Sequence, residues 1–419
     1  MFTLLKRSIS FLVVLALPAL AAAQDPAAPA APPAPPPPPV TAGWQDGFFL
    51  QSLNGDFRLQ IGLSAQIDGR FVLDDAPAVI NTLTLRKLRP TLIGRVGKFF
   101  DFRVVPEFGG GSSTILDAFF DVRFSPKFRV RTGKDKTPVG YEILVGDPYL
   151  LFPERSLASS LVPNRDVGVE ALGELAAGKF SYTGGVFNGV VDGTSSTTEI
   201  DTNSGKDLAG RVLVQPFRSA QRPTRLSGLS FHIGGSTGKQ VGALPAFRTS
   251  STQTYFSYAS GTVASGRRNR ISPAVSYYYR SFGAFAELAR STQTMTRGAQ
   301  SFDVTNQGWE ITGSYLVTGE TATERDVRPA RVFDPAAGKW GALQLLTRYS
   351  RLRVDPGAFT AGLAAAGASQ RACSWIVSAN WYPVSVIKYY LSFERTAFDG
   401  GAGTRPVEHL ILFRAQLAF

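Results

Sequence analysis

Cysteine occurs once in 419 residues, at Cys373, and histidine twice, at His232 and His409. A single thiol excludes an intramolecular disulfide framework and gives a metal too few thiolate ligands. Neither histidine sits in a recognisable Ser or Cys motif, so a hydrolase would lack an activated nucleophile, and neither an enzyme nor a cofactor is expected. Charge is sparse too, at 18% of residues against 44% hydrophobic. Beyond the N-terminus no run of 18 apolar residues occurs, which excludes a transmembrane helix. It does not exclude the membrane, because a spanning strand needs only about 9 to 11 residues and alternates lipid-facing with lumen-facing positions. Acidic residues are the minority, 32 against 44 basic. With no zinc spacing, helix-turn-helix or basic helix to present that excess, nucleic acid is not the expected partner, and anion handling is the better reading.

Lys6 and Arg7 form a basic n-region, Ile9 to Leu20 an apolar core, and Ala21-Ala22-Ala23 a small-residue cleavage site. Residues 1–23 therefore read as a signal peptide and the mature chain as exported. No cysteine follows the cleavage site, which argues against a lipid-anchored precursor. Loss of Lys6 and Arg7 leaves 42 basic against 32 acidic residues, a formal charge of +10. Residues 24–55 read as a Pro/Ala-rich periplasmic segment, with Pro26 to Pro39 ending in five prolines. At about 3.1 Å per residue in polyproline II, that tract spans roughly 40 Å. It reads equally as an unstructured exported terminus or as a tether reaching the cell wall.

From Asp56 onward the period is two. Between Phe57 and Phe71 every odd position is apolar apart from Gly69, and every even one is polar, small or charged. Alternation of that length argues for one face in hydrocarbon and one in water. Sixteen segments share the texture, starting near residues 56, 82, 99, 114, 127, 166, 179, 207, 227, 271, 282, 306, 339, 371, 385 and 407. The expected fold is all-β, an antiparallel transmembrane barrel of about 16 strands over residues 56–419. Long polar stretches at Val191–Lys206, Gly238–Arg270, Glu320–Gly338 and Asp355–Arg371 alternate with short connections and fit external loops. Around Arg86 and Lys87 the apolar phase slips by one residue, as a β-bulge would cause.

One connection stands apart. After the strand at Phe128–Arg131, about thirty residues of turn signals and apolar anchors precede the strand at Asp166. A loop that long is usually functional or disordered, and its large apolar residues demand burial. It is expected to fold into the lumen at about residues 136–165 and narrow the pore.

The ordered set Leu85-Arg86-Lys87-Leu88-Arg89-Pro90, Phe100-Asp101-Phe102-Arg103, Leu116-Asp117-Ala118-Phe119, Pro138-Val139-Gly140, Glu154-Arg155-Ser156-Leu157 and Arg165-Asp166-Val167-Gly168-Val169 resembles the porin O and P family of phosphate-selective outer-membrane porins. The likeness continues through Val186-Phe187-Asn188-Gly189, Tyr315 to Glu320, Asn380-Trp381-Tyr382-Pro383 and Arg414-Ala415-Gln416. It implies a bacterial outer-membrane barrel, usually a homotrimer in contact with outer-membrane lipid, that passes anions through a basic lumen, phosphate in the type members. It also implies a constriction built from Arg86, Lys87, Arg103, Asp117 and Arg155. Alternation adds an inward basic ladder of Arg58, Arg70, Arg89, Arg123, Arg129, Arg131, Arg348, Lys388 and Arg414. At Ile143 the chain departs from phosphate-selective relatives, which place a basic residue there. A general or differently selective porin and a structural barrel tethered through its proline tract are the alternatives. Gly234-Gly235-Ser236-Thr237-Gly238-Lys239 is one residue short of a phosphate loop, with Gln240 where Ser or Thr is required, and reads as a strand end.

Overall fold

In the computed structural model the described residues are 40–74, 81–111, 113–196, 201, 203–219, 221, 224–401 and 405–419. The segment read as a signal peptide and the Pro26 to Pro39 tract lie outside them. Twenty strands follow in chain order: β1 Val40–Trp44, β2 Phe48–Ser52, β3 Phe57–Val72, β4 Thr82–Val96, β5 Phe100–Glu107, β6 Thr114–Ser125, β7 Phe128–Lys136, β8 Arg165–Leu175, β9 Phe180–Phe187, β10 Asp207–Val214, β11 Leu229–Gly242, β12 Phe247–Arg248, β13 Thr254–Phe256, β14 Thr262–Tyr279, β15 Phe282–Arg297, β16 Gln300–Leu316, β17 Ala342–Arg353, β18 Ser369–Val384, β19 Ile387–Gly401 and β20 Glu408–Ala418. Sixteen of these, β3 to β11 and β14 to β20, pair antiparallel with their neighbours, and β20 closes the sheet on β3 from Leu410↔Val72 to Ala418↔Ser64. Closure removes every edge, as hydrocarbon requires of a spanning sheet.

Side chains alternate across the wall as the sequence pattern predicts. On β17, Leu343, Leu345 and Tyr349 point outward and are 37%, 49% and 39% exposed, while Leu346, Arg348, Ser350 and Leu352 are buried inside. The outer face is therefore apolar and the inner face largely polar, the inverse of a water-soluble core. The register of β3 against β4 steps from Gln66↔Lys87 to Ile67↔Leu85, leaving Arg86 as the extra residue. The phase slip in the sequence is thus a β-bulge, and it lets Arg86 and Lys87 both reach loop carboxylates.

Two features depart from the sequence reading. The expected loop at Gly238–Arg270 is mostly strand: β11 runs to Gly242, β14 starts at Thr262, and the connection holds the small β12–β13 hairpin. The segment Glu320–Gly338 is not on the long-loop side. It follows β16, and strand direction places it at the end of the barrel that carries the short turns 97–99, 126–127 and 385–386. There it folds inward: Ala322 and Val327 are buried with Leu316, Ala342 and Tyr382. Length suggested a loop side, but alternation of strand direction decides it. Within the segment read as Pro/Ala-rich, β1 and β2 form a hairpin that pairs with β3 at Arg58 to Ile61, just beyond the end of β20. Trp44 and Phe48 pack on Phe419 with ring centroids 5.1 and 6.0 Å apart.

Candidate pore constriction

The 137–164 connection leaves β7 and crosses the lumen, carrying three short 3₁₀ turns at Glu142–Leu144, Asp147–Tyr149 and Ala158–Leu161. Its apolar side, Val139, Ile143, Leu157, Leu161 and Val162, joins a buried cluster with Ala289 and Leu352 of the opposite wall. Gly140 takes φ +81°, and a Cβ there would lie 2.9 Å from Val162 and 3.2 Å from Glu287 Oε1. The turn at Gly140 aims the backbone N–H groups of Tyr141 and Glu142 at the two carboxylate oxygens of Glu287, each at 2.8 Å.

Charge fixes the rest of the loop. Asp147 accepts from Lys87 Nζ at 2.8 Å, from Arg155 at 2.7 Å and from Arg89. Burial pushes the Asp147 carboxyl up, but these cations and Lys136 outweigh it and hold it well below the usual carboxylate range. Glu154 meets Arg70 at 2.5 Å and Arg86 at 3.3 Å. Against the opposing effect of burial, Arg86, Arg70, Arg414 and Lys87 draw its carboxyl down to about 2. Glu142 accepts from Arg348 at 3.1 Å and from Ser159 Oγ at 2.7 Å. The wall also holds loop carbonyls: Lys388 donates to Leu150 O at 2.7 Å, Arg414 to Pro153 O at 2.6 Å and Asn380 to Leu151 O at 2.8 Å.

The sequence-derived residues therefore fall into three groups. Arg70, Arg86, Lys87, Arg89, Arg348, Lys388 and Arg414 clamp the loop, and Arg155 joins them from the loop itself. Arg103, Asp117 and Arg131 line a cavity beside it. Asp117 is buried against Arg165 at 2.6 Å, whereas Arg103 lies 3.7 Å from Asp117 with its side chain 43% exposed. The third group lies towards the short-turn end: Arg123 is 3.6 Å from Asp101, Arg129 is 3.9 Å from Asp121, and Arg58 donates to Gln51 and Gln45 beside the hairpin. Ile143, 4% exposed, packs in the apolar cluster and presents nothing to the lumen.

The cavity, about 750 Å³, is lined by nine basic and seven acidic side chains. Pattern reasoning passed over most of its acids. Asp147 sits in a loop without periodicity, and Glu324, Asp326, Arg325 and Arg328 come from the connection misplaced to the other end. Among the described residues, the cavity cation Arg211 hydrogen-bonds only the His232 ring nitrogen, at 2.7 Å, and Lys136 only the Val145 carbonyl, at 2.7 Å.

The sequence profile described as phosphate-selective porin O and P matches residues 60–419. The chain belongs to the porin O and P family. Solved structures similar to this porin include the outer membrane channel DcaP of Acinetobacter baumannii, 12% identical, with 89% of this chain and 99% of that one covered and a TM-score of 0.58. In-vitro folded OmpT, an outer membrane protein of Vibrio cholerae, is 10% identical over 87% of this chain and 98% of that one, with a TM-score of 0.55. A trimer form of OmpT aligns at 11% identity over 87% and 99% of the two chains, with a TM-score of 0.51. No curated protein sequence matches the porin. The barrel is thus an outer-membrane porin, and the end bearing short turns and both described chain ends is periplasmic.

Proposed function

We propose that this porin is an anion-selective diffusion channel for small oxyanions of the phosphate class. The observation that carries the reading is the imbalance of unspent charge in the cavity. Arg103, Arg211, Lys136 and Lys388 line it, and among the described residues only Arg103 of these has a carboxylate within 4 Å, at 3.7 Å. The acids Asp117, Asp135 and Asp147 are each held by arginine. In a pore comparable in width with the Debye length of about 8 Å, such cations concentrate anions. Arginine presents a planar fork to phosphate or carboxylate oxygens. Passage also requires release, so several moderate sites serve better than one deep one.

The inward-folded periplasmic connection brings Glu324 and Asp326 to the same cavity, and the loop position occupied by Ile143 faces the apolar cluster. Both observations favour broad anion passage over tight phosphate specificity. Residues 1–23 serve as the export signal in this reading, and the barrel assembles as a homotrimer. Single-channel recording of the refolded barrel in a salt gradient tests it. Anion-directed reversal potentials that weaken in Arg103→Gln support the reading. Cation preference, or no current from well-folded barrels, overturns it.

A further inference from the structure

The outer face of the barrel carries an arginine cluster that the lumen cannot use. On β17, Arg351 and Arg353 share the outward parity of Leu343, Leu345 and Tyr349, while buried Ser350 and Leu352 face inward. Arg353 lies directly opposite Arg371 of β18, which lies opposite Asp399 of β19. Arg351 is the next outward residue below Arg353, and Arg395 of β19 stands opposite Trp375. Like charges directly opposed across strands are destabilising. Asp399 neutralises only Arg371, at 3.0 Å, and Arg351, Arg353 and Arg395 have no ion-pair partner among the described residues. Above the apolar outward residues Leu343, Leu345 and Tyr349, these strands thus hold three unneutralised guanidiniums.

Their height explains what would neutralise them. Trp381, stacked on Tyr389 at 5.3 Å, belongs to the aromatic belt at the periplasmic end. The ten positions from Trp381 to Arg371 along β18, at roughly 3.3 Å each and tilted by about 40°, rise roughly 25 Å, the height of the apolar band. Trp375, 48% exposed, and the Trp309–Tyr349 pair at 5.3 Å form a second aromatic row just inside the cluster. Arg353 and Arg371 therefore lie where the outer hydrocarbon ends and headgroups start, with Arg351 one outward position below and Arg395, opposite Trp375, two below; their long side chains can extend upward to the same level.

We propose that Arg351, Arg353 and Arg371, flanked by Arg395, form a binding site for the phosphorylated headgroup of an outer-leaflet glycolipid, its acyl chains lying over Trp375 and Tyr349. The guanidiniums supply planar paired donors for phosphate oxygens, and the aromatic row below supplies an apolar seat. A free phosphate ion would gain the first contact and not the second. The site lies on the opposite face of the sheet from the pore, so it acts on barrel stability and packing in the membrane rather than on conduction.

The test uses the refolded full barrel in neutral detergent, with diphosphoryl lipid A as the probe and its dephosphorylated form and inorganic phosphate as controls. Cys373 lies on the same outward face between Arg371 and Trp375, opposite Arg351, so its alkylation rate by a water-soluble maleimide reports occupancy. Diphosphoryl lipid A is expected to slow alkylation in the wild type. In R351Q/R353Q/R371Q its apparent affinity is expected to fall by about a hundredfold, roughly fivefold per arginine, with single-channel conductance unchanged. Equal protection by the dephosphorylated lipid, or full protection by inorganic phosphate alone, overturns the proposal. So does oxidative Cys373 cross-linking between copies that lipid A leaves unchanged, which would make this face a subunit interface. Should the triple variant fail to fold, the lipid comparison on the wild type and on R353Q alone decides.

Discussion

Replacing Asp147 by Asn probes the constriction most directly. The carboxylate gathers Lys87, Arg89 and Arg155, whose side chains are only 9%, 12% and 17% exposed. Asn keeps the shape and removes the charge, so three shielded cations lose their common counter-ion. Breaking a buried ion pair by deleting one partner costs about 3 to 5 kcal/mol. The strand ladders of the wall are untouched, and the loop retains its bonds to Glu287, Lys388 and Arg414. The cost therefore falls on loop position rather than on barrel closure. In the cavity the lining changes from nine basic and seven acidic side chains to nine and six. Planar-bilayer recording should show a reversal potential displaced further toward the anion limit and a noisier open state, with the heat-resistant folded band on gels preserved. A quiet current with wild-type reversal potential would show that Asp147 neither holds the loop nor faces the ion path.

Further outcomes follow from the same geometry. Glu154 has its carboxyl lowered to about 2 in the folded protein, so its contribution is present above the ordinary glutamate range, near 4.5, and is lost as pH falls through about 2. The difference in melting temperature between wild type and Glu154→Gln should be constant from pH 8 to about 5 and shrink below that, and a difference that changes between pH 6 and 7 would contradict the assignment. Gly140→Ala forces a Cβ against Val162 and Glu287 at φ +81°, at a cost of order 1 to 3 kcal/mol, and should increase proteolysis within 137–164 while leaving far-UV circular dichroism unchanged. Deleting the β1–β2 hairpin removes the partner of Arg58 to Ile61 but not the β20–β3 seam, so the barrel should still fold, with a modest loss of heat resistance by gel shift. Phe419→Ala should red-shift Trp44 emission by loosening the 5.1 Å contact.

Much of this was legible along the chain. A period of two with apolar residues on one parity has one stable solution in a bilayer, a closed barrel, because every backbone group must pair without water. Each of the sixteen alternating segments became a barrel strand, with the largest shifts at β14 and β16, which start at Thr262 and Gln300 rather than near 271 and 306. Even the bulge at Arg86 was written in the slipped phase before Leu88. Counting strands from Phe57 would also have put the segment after β16 at the periplasmic end, a topological signal that loop length obscured.

What the tertiary structure alone decided is how the charges are spent. Alternation says that Arg70, Arg89, Arg348 and Arg414 face inward; it cannot say that each meets a loop acid or carbonyl. Those partners lie tens to hundreds of residues away, in an aperiodic loop whose path is set by the apolar cluster around Ile143 and Leu161. Local pattern fixes which face of a strand a side chain takes, because that is a property of two adjacent peptide units. Which carboxylate neutralises which arginine depends on closure of the whole barrel around the loop, and only the closed structure contains that information.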